Sequence, residues 1–442
     1  MKERPILFTA GRRPAQRELM GTETRNLPPY RPPPSKTPPF RAGDTDGEAR
    51  KGFPPFRAID RGGFDDYICS GARQMKKTFL YRLEANQETL QNATLWLDLC
   101  RHLYNAALEQ RISAYRRQRQ SVSAHDQKKQ LPDLRAAFPE YKGVGSQVLQ
   151  DVLERLDRAY AGFFRRVKNG NGKAGFPRFK GRNRYDSFTL KQAGWTLEGK
   201  YLTVKKVGTF KLRLSRPIEG TIKTITIRRS ASGTWSAAFS CDGVPEKPLP
   251  PTGKAIGIDV GCESFLTTSE GQTIDNPRFF KRSQAVLAMR QRRLSQRMKG
   301  SKRRAKARIL VAKAHEKVRN QRRDFHFKVT NYLLKGNDTI YIEKISSWNS
   351  SRALNRSMRD VAWFEFFNIL RFKAEEAGRE VVEVPARDTT QLCAQCGTRV
   401  PKDLSVRIHS CPQCGLTISR DRNAALNIYR LGQSLQASLA PA

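Results

Sequence analysis

Acidic residues are scarce in this 442-residue chain: 41 Asp and Glu stand against 82 Lys and Arg, a formal charge of +41. Such a field repels itself unless a polyanion neutralises it. Nucleic acid is the expected partner, because each phosphate contact releases a condensed counterion. Long apolar runs are also missing. No stretch approaches ~18 consecutive apolar residues, so no transmembrane helix is expected. A basic amphipathic helix beside an apolar anchor is absent too, which argues against a membrane partner. The start, Met1-Lys2-Glu3-Arg4-Pro5, lacks the apolar core of a signal peptide, so a cytoplasmic protein is expected. Histidine is rare: five residues, His102, His125, His315, His326 and His409, none at zincin spacing. There is no Walker loop, no Ser-His-Asp signature, no His-x-His motif of single-strand transposases and no internal repeat. The 38% hydrophobic content is too high for a disordered polycation. The length suggests about three domains of roughly 150 residues.

Texture changes along the chain. Residues 1–74 hold eleven of the 24 prolines, including Pro32-Pro33-Pro34, and show no apolar periodicity. They are expected to be a disordered or polyproline II extension, either dispensable, preceding a start at Met75, or an arm touching nucleic acid. Residues 76–83 read as a strand. Trp96, Leu99, Leu103 and Ala107 recur at helical spacing, and the pattern runs on to Tyr115. A second helix carries Leu149, Val152, Leu156, Tyr160 and Phe163 and stops at Lys168-Asn169-Gly170-Asn171-Gly172. Residues 187–243 alternate and read as several strands, and 248–253 as a linker. An α/β region follows from Lys254. Within it, 281–323 holds seventeen Lys or Arg and one acid, Glu316. A solvated helix face normally mixes charge signs, so this stretch is expected to meet a nucleic-acid backbone.

Three acidic positions stand out. Ile256-Gly257-Ile258-Asp259-Val260-Gly261 predicts a buried strand with Asp259 near its end. Thr339-Ile340-Tyr341-Ile342-Glu343-Lys344-Ile345 predicts another, with Glu343 set inside it. A carboxylate buried in a sheet is costly unless paired or metal-bound. Asp421, in Ser419-Arg420-Asp421-Arg422-Asn423-Ala424-Ala425-Leu426-Asn427-Ile428, stands just before an Ala/Leu-rich helix. Each has an ordinary alternative: a turn Asp, a Glu paired with Lys344, a helix cap. Together, in the order strand, strand, helix, they match what a two-metal phosphodiester nuclease needs, where carboxylates hold two Mg²⁺ ions ~4 Å apart.

Of eight cysteines, Cys69, Cys100, Cys241 and Cys262 are scattered and read as small buried side chains. Cys393-x2-Cys396 and Cys411-x2-Cys414, fourteen residues apart, have the spacing of a four-cysteine zinc ribbon. Gly397 and Gly415 follow the two knuckles. Four thiolates would close a tetrahedron, so this Zn²⁺ is expected to be structural, with iron–sulfur ligation as the alternative. The ribbon falls between Glu343 and Asp421.

In combination these motifs resemble the TnpB family of insertion sequences, compact relatives of type V CRISPR effectors, over about residues 75–432. Two further segments carry the resemblance: Tyr160-Ala161-Gly162-Phe163-Phe164 with Gly175-Phe176-Pro177-Arg178-Phe179-Lys180, and Gln391-Leu392-Cys393. The resemblance implies an α/β multidomain fold. A RuvC-like, ribonuclease-H-type nuclease (251–387, with basic helices 281–323) would carry an inserted zinc ribbon (388–418). Its last motif and helix would span 419–432, and 433–442 would be a tail. A first wedge strand (75–92) and a wedge β-barrel (171–250) would bracket a helical recognition region (93–170). It further implies RNA-guided cleavage of double-stranded DNA by two-metal hydrolysis, with a transposon-derived guide RNA and, by expectation, one protein per guide. Asp259, Glu343 and Asp421 match the catalytic, Mg²⁺-holding positions, and the ribbon would belong to the target-binding insertion. Gln150 matches a position facing the target-adjacent motif, and Arg178 and Lys180, with Phe176, positions near the guide scaffold. Many members carry Asp-Arg-Asp-x-Asn at the last motif; here Ser419 replaces the first Asp. Two further readings compatible with the residues are an RNA-bound repressor that does not cut and an unguided nuclease of ribonuclease-H fold.

Overall fold

In a computed structural model of the chain, residues 74–170, 174–344, 352–385, 388–403 and 405–439 are described. The proline-rich extension, Cys69 and Ile345 lie outside the described residues. Strand β1 (Gln74–Glu84) is followed by α1 (Gln87–Gln118), α2 (Ala124–Lys129), α3 (Leu131–Ala137) and α4 (Ser146–Lys168). Asn86 starts α1 by accepting a hydrogen bond from the Thr89 amide at 2.9 Å. Then come β2 (Ser187–Leu190), β3 (Trp195–Glu198), β4 (Tyr201–Val204), β5 (Gly208–Leu212), β6 (Thr221–Arg229) and β7 (Trp235–Pro245). These strands pair antiparallel in the order β2-β6-β7-β1-β5-β4-β3 and curl into a nearly closed barrel. The alternation of β1 is the cause of its placement: Met75, Phe79, Tyr81 and Leu83 point inward.

The second half begins with β8 (Ala255–Val260), β9 (Ser264–Thr268) and β10 (Thr273–Asp275), then α5 (Phe279–Ser295), α6 (Lys302–Gly336) and β11 (Thr339–Glu343). It continues with α7 (Arg352–Val361), α8 (Trp363–Glu376), β12 (Glu380–Val384), the hairpin β13 (Ile408–Ser410) and β14 (Thr417–Ser419), and α9 (Arg420–Leu439). The five-stranded sheet has the order β10-β9-β8-β11-β12. Strands β8, β11 and β12 run parallel, while β9 and β10 are antiparallel. Continuous apolar runs in β8 and β11 reflect burial of both faces. Ile256, Ile258, Ile340 and Ile342 meet Leu333, Phe366 and Leu370 from α6 and α8. Tyr341 and Val384 meet Ile428 of α9 on the other face. Buried Lys77 of β1 pairs with Glu376 of α8, linking the barrel to this half.

Helix α9 lies unusually close to the sheet. A Cβ on Gly257 would stand 2.4 Å from the Ala425 carbonyl oxygen and 2.7 Å from the Tyr429 amide nitrogen. One on Gly432 would stand 2.0 Å from Cδ1 of Tyr341. At Gly257 the obstacle is backbone, which cannot rotate away. Gly257→Ala is therefore expected to cost ~1–3 kcal/mol, as overpacked cores do. Thermal unfolding should show it as a Tm lowered by several degrees.

Candidate active site and metal centre

The pairing of β8 with β11 decides where two of the acids go. Ile342 lies opposite Ile258 in parallel register, so Glu343 and Asp259 follow at the same edge of the sheet. Alternation along each strand then puts Asp259 on the face of Gly257, and Glu343 on that of Tyr341. That is the face covered by α9. From Gly257 to Asp259 the strand advances ~6.6 Å. From Ala425, which touches Gly257, back to Asp421 the helix advances ~6 Å. The two close glycine contacts thus set the height at which Asp421 meets the sheet edge. Glu343 proves to be the last residue of its strand, and Asp421 lies in the first turn of α9, where the helix dipole favours a carboxylate. The helix runs on to Leu439, through the stretch read as a tail.

The electrostatics reflect this arrangement. Burial, then the charges of Glu343 and Asp421, hold the Asp259 carboxyl well above the usual carboxylate range, with Arg420 opposing. Burial raises Glu343 to about 7. The Arg420 guanidinium lies 3.3 Å from Asp421 Oδ1 and donates to the Val406 carbonyl at 3.2 Å. The three carboxylates do not close as tightly as the thiols below, the group among the described residues with single-ion spacing.

A consequence for stability follows for the metal-free protein. Glu343 is raised from 4.5 to about 7 on folding, so the native state keeps a proton that the unfolded chain has lost. Its contribution is present below pH ~4.5 and is lost as pH rises through about 7. Glu343→Gln should flatten this part of the pH dependence by up to about 3 kcal/mol. Urea unfolding of both proteins from pH 5 to 8 measures it; parallel curves would contradict the partly buried, proton-holding carboxyl.

The cysteines converge as expected. Cys393 and Cys414 sulfurs are 3.6 Å apart, those of Cys396 and Cys411 are 3.5 Å apart, and all four lie within 4.8 Å. A disulfide would need ~2.05 Å. A tetrahedron with Zn–S of ~2.3 Å has edges of ~3.8 Å, so the set fits zinc. Both knuckles have one geometry: the Gly397 amide donates to the Cys393 carbonyl at 2.9 Å, and Gly415 to Cys411 at 3.0 Å. Both glycines adopt positive φ, +76° and +73°. The Thr398 hydroxyl, 3.3 Å away, and the Thr398 amide pull the Cys396 thiol down to about 6.

Two buried asparagines join ribbon to helix, and the sequence reading missed both. Asn423 accepts from the Ala394 amide at 2.9 Å and donates to the Leu392 carbonyl at 2.7 Å. Asn427, one turn on, donates to the Thr389 and Leu392 carbonyls, each at 2.8 Å. The only local trace is two Asn at i, i+4 flanking the apolar Ala424-Ala425-Leu426, which puts them on one face of the helix. Asn423→Ala would leave the buried Ala394 amide unpaired and should cost ~1–3 kcal/mol, read as a lower Tm. Gln150, half-buried on α4, belongs to the helical region before the barrel rather than to this site. Arg178 is exposed. Lys180 is half-buried, its ammonium 5.5 Å from the Tyr104 ring centroid and its backbone hydrogen-bonded to Asn105. Cys100 and Cys241 are buried, and Cys262 partly so. No described helix is long and apolar enough to cross a membrane.

The chain is similar to several known proteins. Residues 238–352 match the OrfB family of IS605 elements, described as "Probable transposase". Residues 363–428 match the TNB domain of Cas12f1-like proteins. Residues 75–120 match the helix-turn-helix domain of the OrfB family, although here they form a strand and one long helix. A Streptomyces pristinaespiralis protein provisionally named an RNA-guided DNA endonuclease is 33% identical over 382 residues, 83% of this chain and 91% of its own. Escherichia coli K12 InsQ, similarly named, is 33% identical over 312 residues, covering 66% of this chain and 76% of its own. The CRISPR-associated endodeoxyribonuclease Cas12f1 of Sulfoacidibacillus thermotolerans is 26% identical over 210 residues, 44% of this chain and 49% of its own. Among solved structures, a mini RNA-guided endonuclease, Cas-phi3, aligns with TM-score 0.45 at 10% identity over 81% of this chain and 92% of its own. With one-third identity across nine-tenths of the Streptomyces relative, the chain belongs to the TnpB family of transposon-encoded RNA-guided DNA endonucleases.

Proposed function

We propose that this protein is a Mg²⁺-dependent, RNA-guided endonuclease of double-stranded DNA, with Asp259, Glu343 and Asp421 as its catalytic carboxylates. The observation that carries this reading is their convergence: two parallel strand ends and a helix start bring three acids together until Asp259 resists ionisation. Three like charges gathered around one guanidinium, Arg420, leave an excess of negative charge that a structural role does not explain. A cation site requires it. Two Mg²⁺ ions, when bound, would activate water and stabilise the leaving oxygen. The protein's own residues hold the carboxylates in place: Gly257 and Gly432 seat α9, and Arg420 orients Asp421.

On this reading the sheet β10-β9-β8-β11-β12 is a RuvC-like, ribonuclease-H-type unit spanning 251–387 and 419–432. The ribbon at 388–418 binds zinc and contacts target DNA. The barrel is the wedge, with 93–170 as its recognition insertion. Gln150 faces the target-adjacent motif, and Arg178 and Lys180 meet the guide. Base pairing would read sequence while the protein reads backbone and adjacent motif. The test is to express the chain with the DNA flanking its gene, sequence the RNA that co-purifies, and add a matched plasmid with Mg²⁺. One RNA species with a fixed scaffold and guide-dependent cutting is expected. Heterogeneous RNA, or cutting without it, would overturn the guided reading.

A further inference from the structure

Helices α5 and α6 form a hairpin whose facing surfaces leave an open cleft of about 520 Å³. That lies within the ~300–1,000 Å³ of small-molecule clefts. The hairpin is braced by two arginines that spend their donors on main-chain carbonyls. Arg304 donates to Leu294 at 2.8 Å and Arg297 at 2.7 Å, and Arg290 to Leu310 at 2.9 Å. Four more cations line the cleft: Arg293, Arg297, Arg303 and Lys306. Among the described residues none of these four has an acidic partner. Met289 and Leu310 also line it and are 40% and 50% exposed.

Cations and bare apolar side chains in one cleft call for a ligand that is anionic and apolar at once. A duplex offers such a surface its phosphates, sugars and base edges, but not the apolar faces of its bases, which are stacked inside. An unpaired nucleotide shows both phosphate and base. Both features stand open in the free protein, where a ligand that stays bound would cover them better than a transient one. Under the proposed function, on which this inference rests, RNA is the permanent ligand and target DNA a transient one. We propose that the α5–α6 cleft holds an unpaired nucleotide of the bound RNA, its phosphates on the four cations and its base on Met289 and Leu310.

The test is ultraviolet crosslinking of the full chain, carrying its co-purified RNA, followed by mass spectrometry. A nucleotide adduct is expected on the peptides bearing Met289 or Leu310. Crosslinks elsewhere in the same sample but none here would overturn the proposal. A second arm uses a short oligouridylate, its duplex with oligoadenylate, and a DNA strand of matching length. Met289→Ser with Leu310→Ser should weaken single-stranded RNA at least about fivefold while leaving duplex affinity unchanged. Arg293→Gln with Arg297→Gln should weaken both and reduce the single-strand salt slope by about 1.4. Equal weakening of duplex by the serine pair would refute base contact. Adducts from the DNA strand alone would refute RNA as the occupant. The oligonucleotide arm decides the cleft even if the co-purified RNA is heterogeneous, the outcome that would sink the guided reading.

Discussion

Asp259→Asn is expected to abolish DNA cleavage while making the metal-free protein more stable. Removing one of the carboxylates proposed to hold the metal ions should cost about 4 kcal/mol or more in the transition state, a loss of about 10³-fold in rate. The stability change has the opposite sign. Asp259 is held above the usual carboxylate range by burial and by Glu343 and Asp421. The neutral amide stays uncharged without having to hold a proton there, so Tm without Mg²⁺ should rise, as strained functional sites often allow. Because Asp259 does not touch the cleft between α5 and α6, RNA retention should be unchanged. The opposite signs make the experiment decisive: a misfolded variant would lose activity and stability together. Cleavage retained within tenfold would remove Asp259 from the catalytic set, and a lowered Tm would contradict the repulsion.

The second large effect concerns the thiols. The purified protein should carry one zinc per chain, and Cys411→Ser should carry close to none. Cys411 is 2% exposed and its sulfur lies 3.5 Å from that of Cys396, so the hydroxyl cannot replace it as a tetrahedral corner. Structural zinc supplies ~10–16 kcal/mol of apparent binding energy in small fingers, which is folding energy for a segment with little core of its own. Hydrogen exchange should therefore lose protection over 388–419 and keep it in the barrel. Loss should extend into the first turns of α9, because Asn423 and Asn427 bind the Leu392 carbonyl. Asp421 sits two residues before Asn423. Target binding, on the proposed function, should fall at least about tenfold, in line with the cost of disturbing groups around a metal. Unchanged zinc content in Cys411→Ser would show that the four thiols do not share one ion.

Sequence alone determined a good deal of this molecule, where a local rule is enough. The apolar run Ile256-Gly257-Ile258 and the run Ile340-Tyr341-Ile342 made strands because both faces are buried. Helical spacing from Trp96 to Ala107 made α1, and the Cys-x2-Cys knuckles made a four-thiol cluster because each turn closes within itself. Charge alone pointed to a polyanion. Tertiary structure decided everything that depends on register and close approach. That Glu343 stands beside Asp259 depends on the pairing of Ile342 with Ile258, across more than eighty residues of chain. That Asp421 reaches them depends on Gly257 and Gly432, whose missing side chains let α9 settle on the sheet. Asn423 and Asn427 looked like ordinary helix residues until the ribbon supplied the backbone groups they satisfy. The cleft between α5 and α6 likewise exists only once two basic stretches fold back on each other. In each case the partner lies far along the chain, so no local pattern could carry it.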